Sequence, residues 1–220
     1  MVFFESLAMK FLDRLDAAEQ LAVALSAYRG TYPLVMAIPR GAVPMGRVLA
    51  QRLGGDLEVV LVRKLRYPGS PELAMGAMGA SGWTYLNPDL SALVSTQDLA
   101  KEKAYQLEVL HARKAAYFHD REALSPQGRT VIVLDDGMAT GATMRAALES
   151  VWTQRPKKLV CAVPVATPAA IALVQPWCDE VVCLVVKKDF MAVGQFYENF
   201  DQVEDAQVIN ILHSAHMQAQ

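Results

Sequence analysis

The sequence predicts an α/β protein built on a doubly wound parallel sheet of about five strands. Short apolar runs alternate with helical patterns along most of the 220 residues, and the runs are continuous, as expected of strands buried on both faces. Hydrophobic residues make up 53% of the chain and charged residues 20%, which supplies enough apolar surface for a sizeable core. This length favours a single domain over residues 1–220.

The first part of the chain alternates helix and strand. Four segments have the pattern of regular structure: a helix over 16–28, a strand at 34–38, a helix that ends at Gly54 and Gly55, and a strand at 57–62. Asp13 or Asp16 is predicted to cap the first helix. Residues 65–82 are rich in glycine and proline and are predicted to form a mobile loop, poorly ordered without ligand.

The second part begins with a long charged helix pattern at about 97–124. Its polar side chains are predicted to form a solvated face: Lys101, Glu102, Glu108 and Lys114. A strand at 130–136, a glycine-rich turn that opens a helix, and a strand–helix–strand unit follow. The core of the sheet is therefore predicted at about 30–64 and 128–186.

Charge and cysteine content argue against several classes of protein. The formal net charge of −2 does not favour binding to nucleic acid regardless of its sequence, because such proteins carry a large positive excess. Cys161, Cys178 and Cys183 form no CxxC pair and imply no disulfide framework, and the four histidines offer no metal-ligand pattern. No apolar run reaches the length of a membrane span, so a cytoplasmic protein is expected.

Two adjacent acids, Asp135 and Asp136, end the strand at 130–136. Ligands of parallel sheets bind beyond the carboxyl ends of the strands, so both acids are candidates for a site. Neighbouring carboxylates repel each other, and burial increases that cost; hydroxyl donors or a cation would offset it. The vicinal hydroxyls of a ribose supply such donors, one for each carboxylate.

A glycine-rich turn follows the acids and opens the next helix. Free N–H groups at a helix N-terminus and the helix dipole favour a bound anion. Gly141 lets the backbone approach that anion closely, and the hydroxyls of Thr140 and Thr143 add donors. The predicted ribose 5-phosphate site consists of Asp135, Asp136, Ala139, Thr140, Gly141, Ala142 and Thr143.

Simpler structures could explain parts of this pattern. The acids could be a solvated strand end, and Thr140 or Thr143 an ordinary helix cap. Two other kinds of nucleotide site lack their motifs, since GxxxxGK[ST] is absent and no GxGxxG follows a first strand. The complete string at 131–143 favours the sugar-phosphate site.

This string, VIVLDDGMATGAT, resembles the signature with which type I phosphoribosyltransferases bind phosphoribosyl pyrophosphate (PRPP). It departs from many members at Ala142, where they have a second glycine. The resemblance implies the fold of that family, with a small hood formed by the N-terminal and C-terminal segments. It also implies transfer of the 5-phosphoribosyl group from PRPP to a nitrogen of a nucleobase or similar acceptor, with release of pyrophosphate.

Two further segments resemble the same family. IPRGAVPMG resembles its pyrophosphate loop, which often contains a non-proline cis peptide, and VRKLRYPG resembles the start of its flexible catalytic loop in orotate phosphoribosyltransferases. The residues implied to bind the diphosphate are Arg40, Gly41, Ala42, Arg63 and Lys64. Asp135 and Asp136 act on the ribose, and the catalytic cation is left open between Lys64 and Arg66.

The C-terminal region resembles the part that covers the nucleobase in purine-type members, which implies base contacts from Lys187, Phe190 or Phe196. The family also implies a homodimer, and Mg²⁺ bound through PRPP with Asp135 and Asp136 reached through water. A competing hypothesis is a regulator that senses PRPP or a nucleotide on the same fold without turnover. Such proteins carry an added nucleic-acid-binding element, and no helix-turn-helix signature is present.

Overall fold

A computed structural model describes residues 2–3, 10–80, 83–118, 122–188 and 192–217. Its strands are β1 (Val2–Phe3), β2 (Leu34–Ala37), β3 (Asp56–Val59), β4 (Val62–Tyr67), β5 (Ser70–Gly79), β6 (Thr84–Leu86), β7 (Thr130–Leu134), β8 (Lys158–Ala166) and β9 (Glu180–Val186). Its helices are α1 (Arg14–Ala24), α2 (Ala42–Leu53), α3 (Pro88–Ser91), α4 (Thr96–Tyr117), α5 (Ala142–Trp152), α6 (Pro168–Val174) and α7 (Asp205–Met217).

The main sheet is parallel and has the strand order β1-β9-β8-β7-β2-β3. Since β1 has only two residues, five strands of ordinary length remain, as predicted. Successive residues of β2 point to opposite faces: Val35 and Ala37 join the core beneath α1 and α2, while Leu34 and Met36 join the core beneath α5 and α6. The prediction of a doubly wound α/β fold is confirmed.

Local capping explains where the first helices begin and end. The Asp13 carboxylate accepts the N–H groups of Leu15 and Asp16 at 2.8 and 2.9 Å, so α1 begins at Arg14. Gly54 ends α2 with a left-handed φ of 70°, a conformation that glycine adopts without strain. Among the described residues, no helix is both long and apolar enough to cross a membrane.

The long helix α4 is shorter than the predicted 97–124, because it ends at Tyr117 and residues 122–126 are not helical. A buried carboxylate accounts for part of the difference. Glu58 is fully buried and accepts the N–H of Leu124 at 3.0 Å, so this segment is held by a side chain rather than by a further helical turn.

The segment predicted as a mobile loop contributes to a second sheet, in which β4, β5 and β6 pair antiparallel. The prediction of one strand at 57–62 is wrong, since the chain leaves the main sheet after β3 and enters β4 of the second sheet. Arg145 of α5 stacks on the rings of Tyr85 and Trp177 at 3.7 and 5.1 Å, which joins this small sheet to the main body. Mobility without ligand stays a prediction, and residues 81–82 lie outside the described part.

Candidate active site

A cleft of about 340 Å³ lies where β2 and β7 end. Its lining includes both predicted acids, Gly41 from the loop after β2, and Thr143 from the first turn of α5. The three predicted cations also line it: Arg63, Lys64 and Arg66. The acids and Gly41 therefore meet where two parallel strands end, as predicted, while the cations reach the cleft from β4 of the antiparallel sheet.

The two acids differ in how they are partnered. Asp136 Oδ2 accepts a hydrogen bond from Arg14 Nε at 2.9 Å, and it lies so close to Gly41 that a Cβ at that residue would overlap it. Asp135 Oδ1 accepts the backbone N–H of Asp136 at 2.9 Å. No cation pairs with Asp135 among the described residues, so its carboxylate is the one available to a ligand.

Burial makes the ionised acid pair costly. Burial, and then the adjacent Asp136, raise the pKa of Asp135 well above its ordinary range. Burial also raises the pKa of Asp136, although the Arg14 guanidinium opposes this shift. A ligand that donates hydroxyl groups to the pair, or brings a cation to it, would recover this cost.

This cost leads to a prediction about stability and pH. Because folding raises the pKa of Asp135, the folded protein holds this proton more tightly than the unfolded chain, and its stability falls as pH rises from about 4 through the raised folded pKa. We expect Asp135→Asn to raise the Tm of the ligand-free protein by a few degrees at neutral pH, with a smaller gain toward pH 4.

Differential scanning calorimetry between about pH 4 and pH 8 measures this gain. The matched control is Glu19→Gln, since the hydrogen bond from Arg52 lowers the pKa of Glu19 and removal of that carboxylate should not stabilise the fold. A gain that is absent, or that is the same at every pH, would contradict the raised pKa of Asp135.

The turn before α5 has several hydrogen-bond donors for which the described part of the chain offers no acceptor. Gly141 precedes the helix with a φ of 77°, and the N–H groups of Ala139, Thr140, Gly141 and Thr143 donate to no other described residue. The N–H of Ala142 makes only a long contact of 3.4 Å with Thr140 Oγ1. Thr143 Oγ1 is buried and has no hydrogen-bond partner among the described residues, an arrangement that an anion would satisfy.

The three cations of the β4 strand are held differently. Arg66 donates to both carboxylate oxygens of Glu102 at 2.9 and 3.1 Å, and Arg63 donates to Gln106 Oε1 at 2.8 Å. Lys64 is exposed, lines the cleft, and has no hydrogen bond or ion pair with another described residue. The prediction that Glu102 belongs to a solvated face of the long helix is therefore wrong, because Glu102 packs toward β4 and binds Arg66.

The loop after β2 presents its backbone rather than its arginine. The Arg40 guanidinium lies 3.3 Å from Glu204 and 3.4 Å from Asp205, at the start of α7, and it does not line the cleft. The N–H groups of Gly41 and Ala42 donate to no other described residue. The peptide bond between Pro39 and Arg40 is cis, the geometry that the resemblance implies for this loop.

Two of the predicted base contacts, Lys187 and Phe196, are not among the described residues that line the cleft. Lys187 is exposed just after β9, and Phe196 packs against the main core while its carbonyl accepts the N–H of Phe11 at 2.8 Å. Phe190 lies outside the described residues. Base binding by these three residues stays a prediction.

Other residues of the site were not found from the sequence. Arg14 binds Asp136, stacks on the Phe200 ring at 3.7 Å and donates to the carbonyl of Asp201 at 2.7 Å. The Tyr197 hydroxyl donates to the carbonyl of Asp136 at 2.6 Å. These residues lie far from the acids in the chain and carry no motif, so only the fold brings them together. Arg113 of α4 also lines the cleft.

Comparisons with a family model, with known proteins and with solved structures give matches over most of this chain. A family model described as the phosphoribosyl transferase domain matches residues 10–201. Two proteins of Mycobacterium tuberculosis (strains CDC 1551 / Oshkosh and ATCC 25618 / H37Rv), each named "Putative phosphoribosyl transferase", are 39% identical over 210 residues, or 94% of this chain and 47% of each relative. The chain thus spans about half the length of these curated relatives. The crystal structure of TT1426 from Thermus thermophilus is 42% identical, with a TM-score of 0.79 over 94% of this chain and 99% of that chain.

Proposed function

Because this chain belongs to the phosphoribosyl transferase domain family, we propose that it transfers the 5-phosphoribosyl group of PRPP to a nitrogen of a nucleobase or similar acceptor and releases pyrophosphate. One observation carries this proposal. Two partly buried acids are directly followed by a turn whose N–H groups, like the buried Thr143 hydroxyl, have no acceptor or partner among the described residues. An anion for the turn and hydroxyls for the acids are the two ends of a ribose 5-phosphate.

The proposed reaction assigns a task to each side of the cleft. The turn at 139–143 holds the 5-phosphate, and Asp135 accepts from a ribose hydroxyl. The amides of Gly41 and Ala42, together with Arg63 and Lys64, bind the diphosphate as its bond to C1 breaks. The acceptor nitrogen then attacks C1. Hydrogen-bond donors fixed in place and facing the developing charge supply most of the rate enhancement, and no covalent nucleophile is required.

The acid pair fits an Mg²⁺ ion that is held mainly by PRPP. Among the described residues, no group of three or more His, Cys, Asp or Glu side chains could form a metal cage. Magnesium commonly keeps several waters and takes one or two carboxylates plus substrate phosphates, and Asp135 and Asp136 match that donor set. When bound, the ion would neutralise part of the charge of the diphosphate.

The direct test is an assay of pyrophosphate release with PRPP, Mg²⁺ and a panel of purine bases, pyrimidine bases and simple amines. We expect release that depends on one acceptor class. Gly141→Ala should abolish most of it, because the new Cβ would lie 3.1 Å from the Ala170 carbonyl in a backbone conformation that alanine rarely adopts.

The matched control is Gly128→Ala. Gly128 has a similar φ of 70°, but open space surrounds its Cβ position and it lies outside the cleft, so this variant should keep its activity. Binding of PRPP without acceptor-dependent release would favour the regulator over the enzyme. Failure to bind PRPP at all would contradict both hypotheses.

A further inference from the structure

We propose that Arg113, on the long helix α4, is an additional binding residue for the diphosphate, which it reaches by leaving Asp205. This inference rests on the proposed function, since it concerns the same cleft. It adds a residue that belongs to none of the sequence motifs. Arg113 lines the cleft together with Gly41, Lys64 and Asp135, and its side chain is 18% exposed.

The present partner of Arg113 holds it weakly. Arg113 Nε lies 3.7 Å from Asp205 Oδ1, near the limit of an ion pair, and no hydrogen bond joins Arg113 to another residue of the described part. A guanidinium carries five N–H donors, so most of those of Arg113 are unused. A largely buried cation with unused donors favours a bound anion.

Asp205 is shared by several groups. Its carboxylate also lies 3.4 Å from Arg40 Nη1 and accepts the hydroxyl of Tyr117. The Asp205 carboxylate is thus divided between two guanidinium groups and a phenol, and both of its guanidinium contacts are long, at 3.4 and 3.7 Å. A diphosphate offers more charge and more acceptor atoms, so it can compete with Asp205 for Arg113.

The position of Arg113 selects the diphosphate rather than the 5-phosphate. Arg40, which shares Asp205 with it, directly precedes Gly41 in the loop assigned to the diphosphate. Arg63 lines the same cleft, and burial, followed by repulsion from the Arg113 and Arg66 charges, lowers the pKa of Arg63. A multivalent anion between these cations would relieve that repulsion.

Calorimetric titration with magnesium pyrophosphate, and separately with ribose 5-phosphate, tests the proposal on the full chain. We expect Arg113→Gln to weaken pyrophosphate binding about tenfold or more, because a hydrogen-bonded charge is lost. Ribose 5-phosphate binding should stay within about twofold of the parent, because the turn at 139–143 is untouched. Arg113→Lys should recover part of the loss, since it keeps the charge without the planar fork.

The control is Lys114→Gln, which removes the same charge from the next, exposed residue of α4 and should leave both affinities unchanged. The proposal is overturned if Arg113→Gln leaves pyrophosphate binding within about twofold of the parent, or weakens both ligands equally. Should Arg113→Gln fail to fold, Arg113→Lys must weaken pyrophosphate alone by about threefold or more. A parent that binds both ligands but transfers nothing would contradict the proposed function and leave this test intact.

Discussion

Loss of PRPP binding is expected when both acids are replaced, in the double variant Asp135→Asn with Asp136→Asn. A hydrogen bond to a charged group contributes about 1.5–3 kcal/mol, so loss of two should weaken PRPP by roughly 100-fold or more. The fold should persist, because an amide at 135 keeps an oxygen for the N–H of residue 136 and removes a buried charge. Titration with PRPP and Mg²⁺ measures the loss.

The two single variants separate the contributions of the two acids to PRPP binding. Asp136 already accepts a hydrogen bond from Arg14 and has less capacity left for a ligand, whereas Asp135 pairs with no cation among the described residues. Most of the loss should therefore appear in Asp135→Asn. Glu19→Gln serves as the control because it neutralises an exposed acid paired with Arg52, away from the cleft. Unchanged affinity in the double variant would rule out the ribose assignment.

The second large effect is expected at Lys64. Its ammonium group lines the cleft and has no partner among the described residues, and it is near enough to oppose the raised pKa of both acids. We expect Lys64→Met to lower kcat/KM by about 100-fold or more, the size of effect seen when a donor to developing charge is removed. Steady-state kinetics with the accepted substrate measure the loss.

Arg66→Met provides the comparison within the same strand. Since Glu102 holds the Arg66 guanidinium through two hydrogen bonds, this cation is less available, and its loss should lower kcat/KM by less than about tenfold. Lys101→Met removes an exposed lysine of α4 and should have no effect. A larger loss in Arg66→Met than in Lys64→Met would reverse the assignment of the catalytic cation.

Features that depend on local patterns could be predicted from the sequence alone. Continuous apolar runs and helical spacing predict the five-stranded doubly wound sheet, and the order of acids, glycine and threonines predicts a strand end followed by a turn with unused amides. These patterns work because burial on both faces and capping act over a few residues. The meeting of Asp135 and Gly41 follows from them, since parallel strands end at one edge, whereas Lys64 reaches the cleft from β4 of the antiparallel sheet.

Features that depend on contacts between distant segments could not be predicted. No local signal indicates that Arg14 pairs with Asp136. Nor does any indicate that Glu102 binds the Arg66 guanidinium and so leaves Lys64 as the more available candidate for the catalytic cation. The hairpin of β4 and β5 was hidden because its glycines and prolines also suit an irregular loop. The early end of α4 depends on Glu58, whose burial is a property of the whole fold.

The reach of Arg14 has a consequence for how the protein can be shortened. Arg14 begins the first helix, and Phe200 and Asp201, which position its guanidinium, lie near the other end of the chain. A minimal version trimmed to the sheet at 30–186 would retain the segments at 38–46, 62–69 and 131–143 and still lose the counter-ion of one of its two acids. Segments near both ends of this polypeptide therefore hold one acid of the cleft in place, and a deletion that removes Arg14, Phe200 or Asp201 would loosen it.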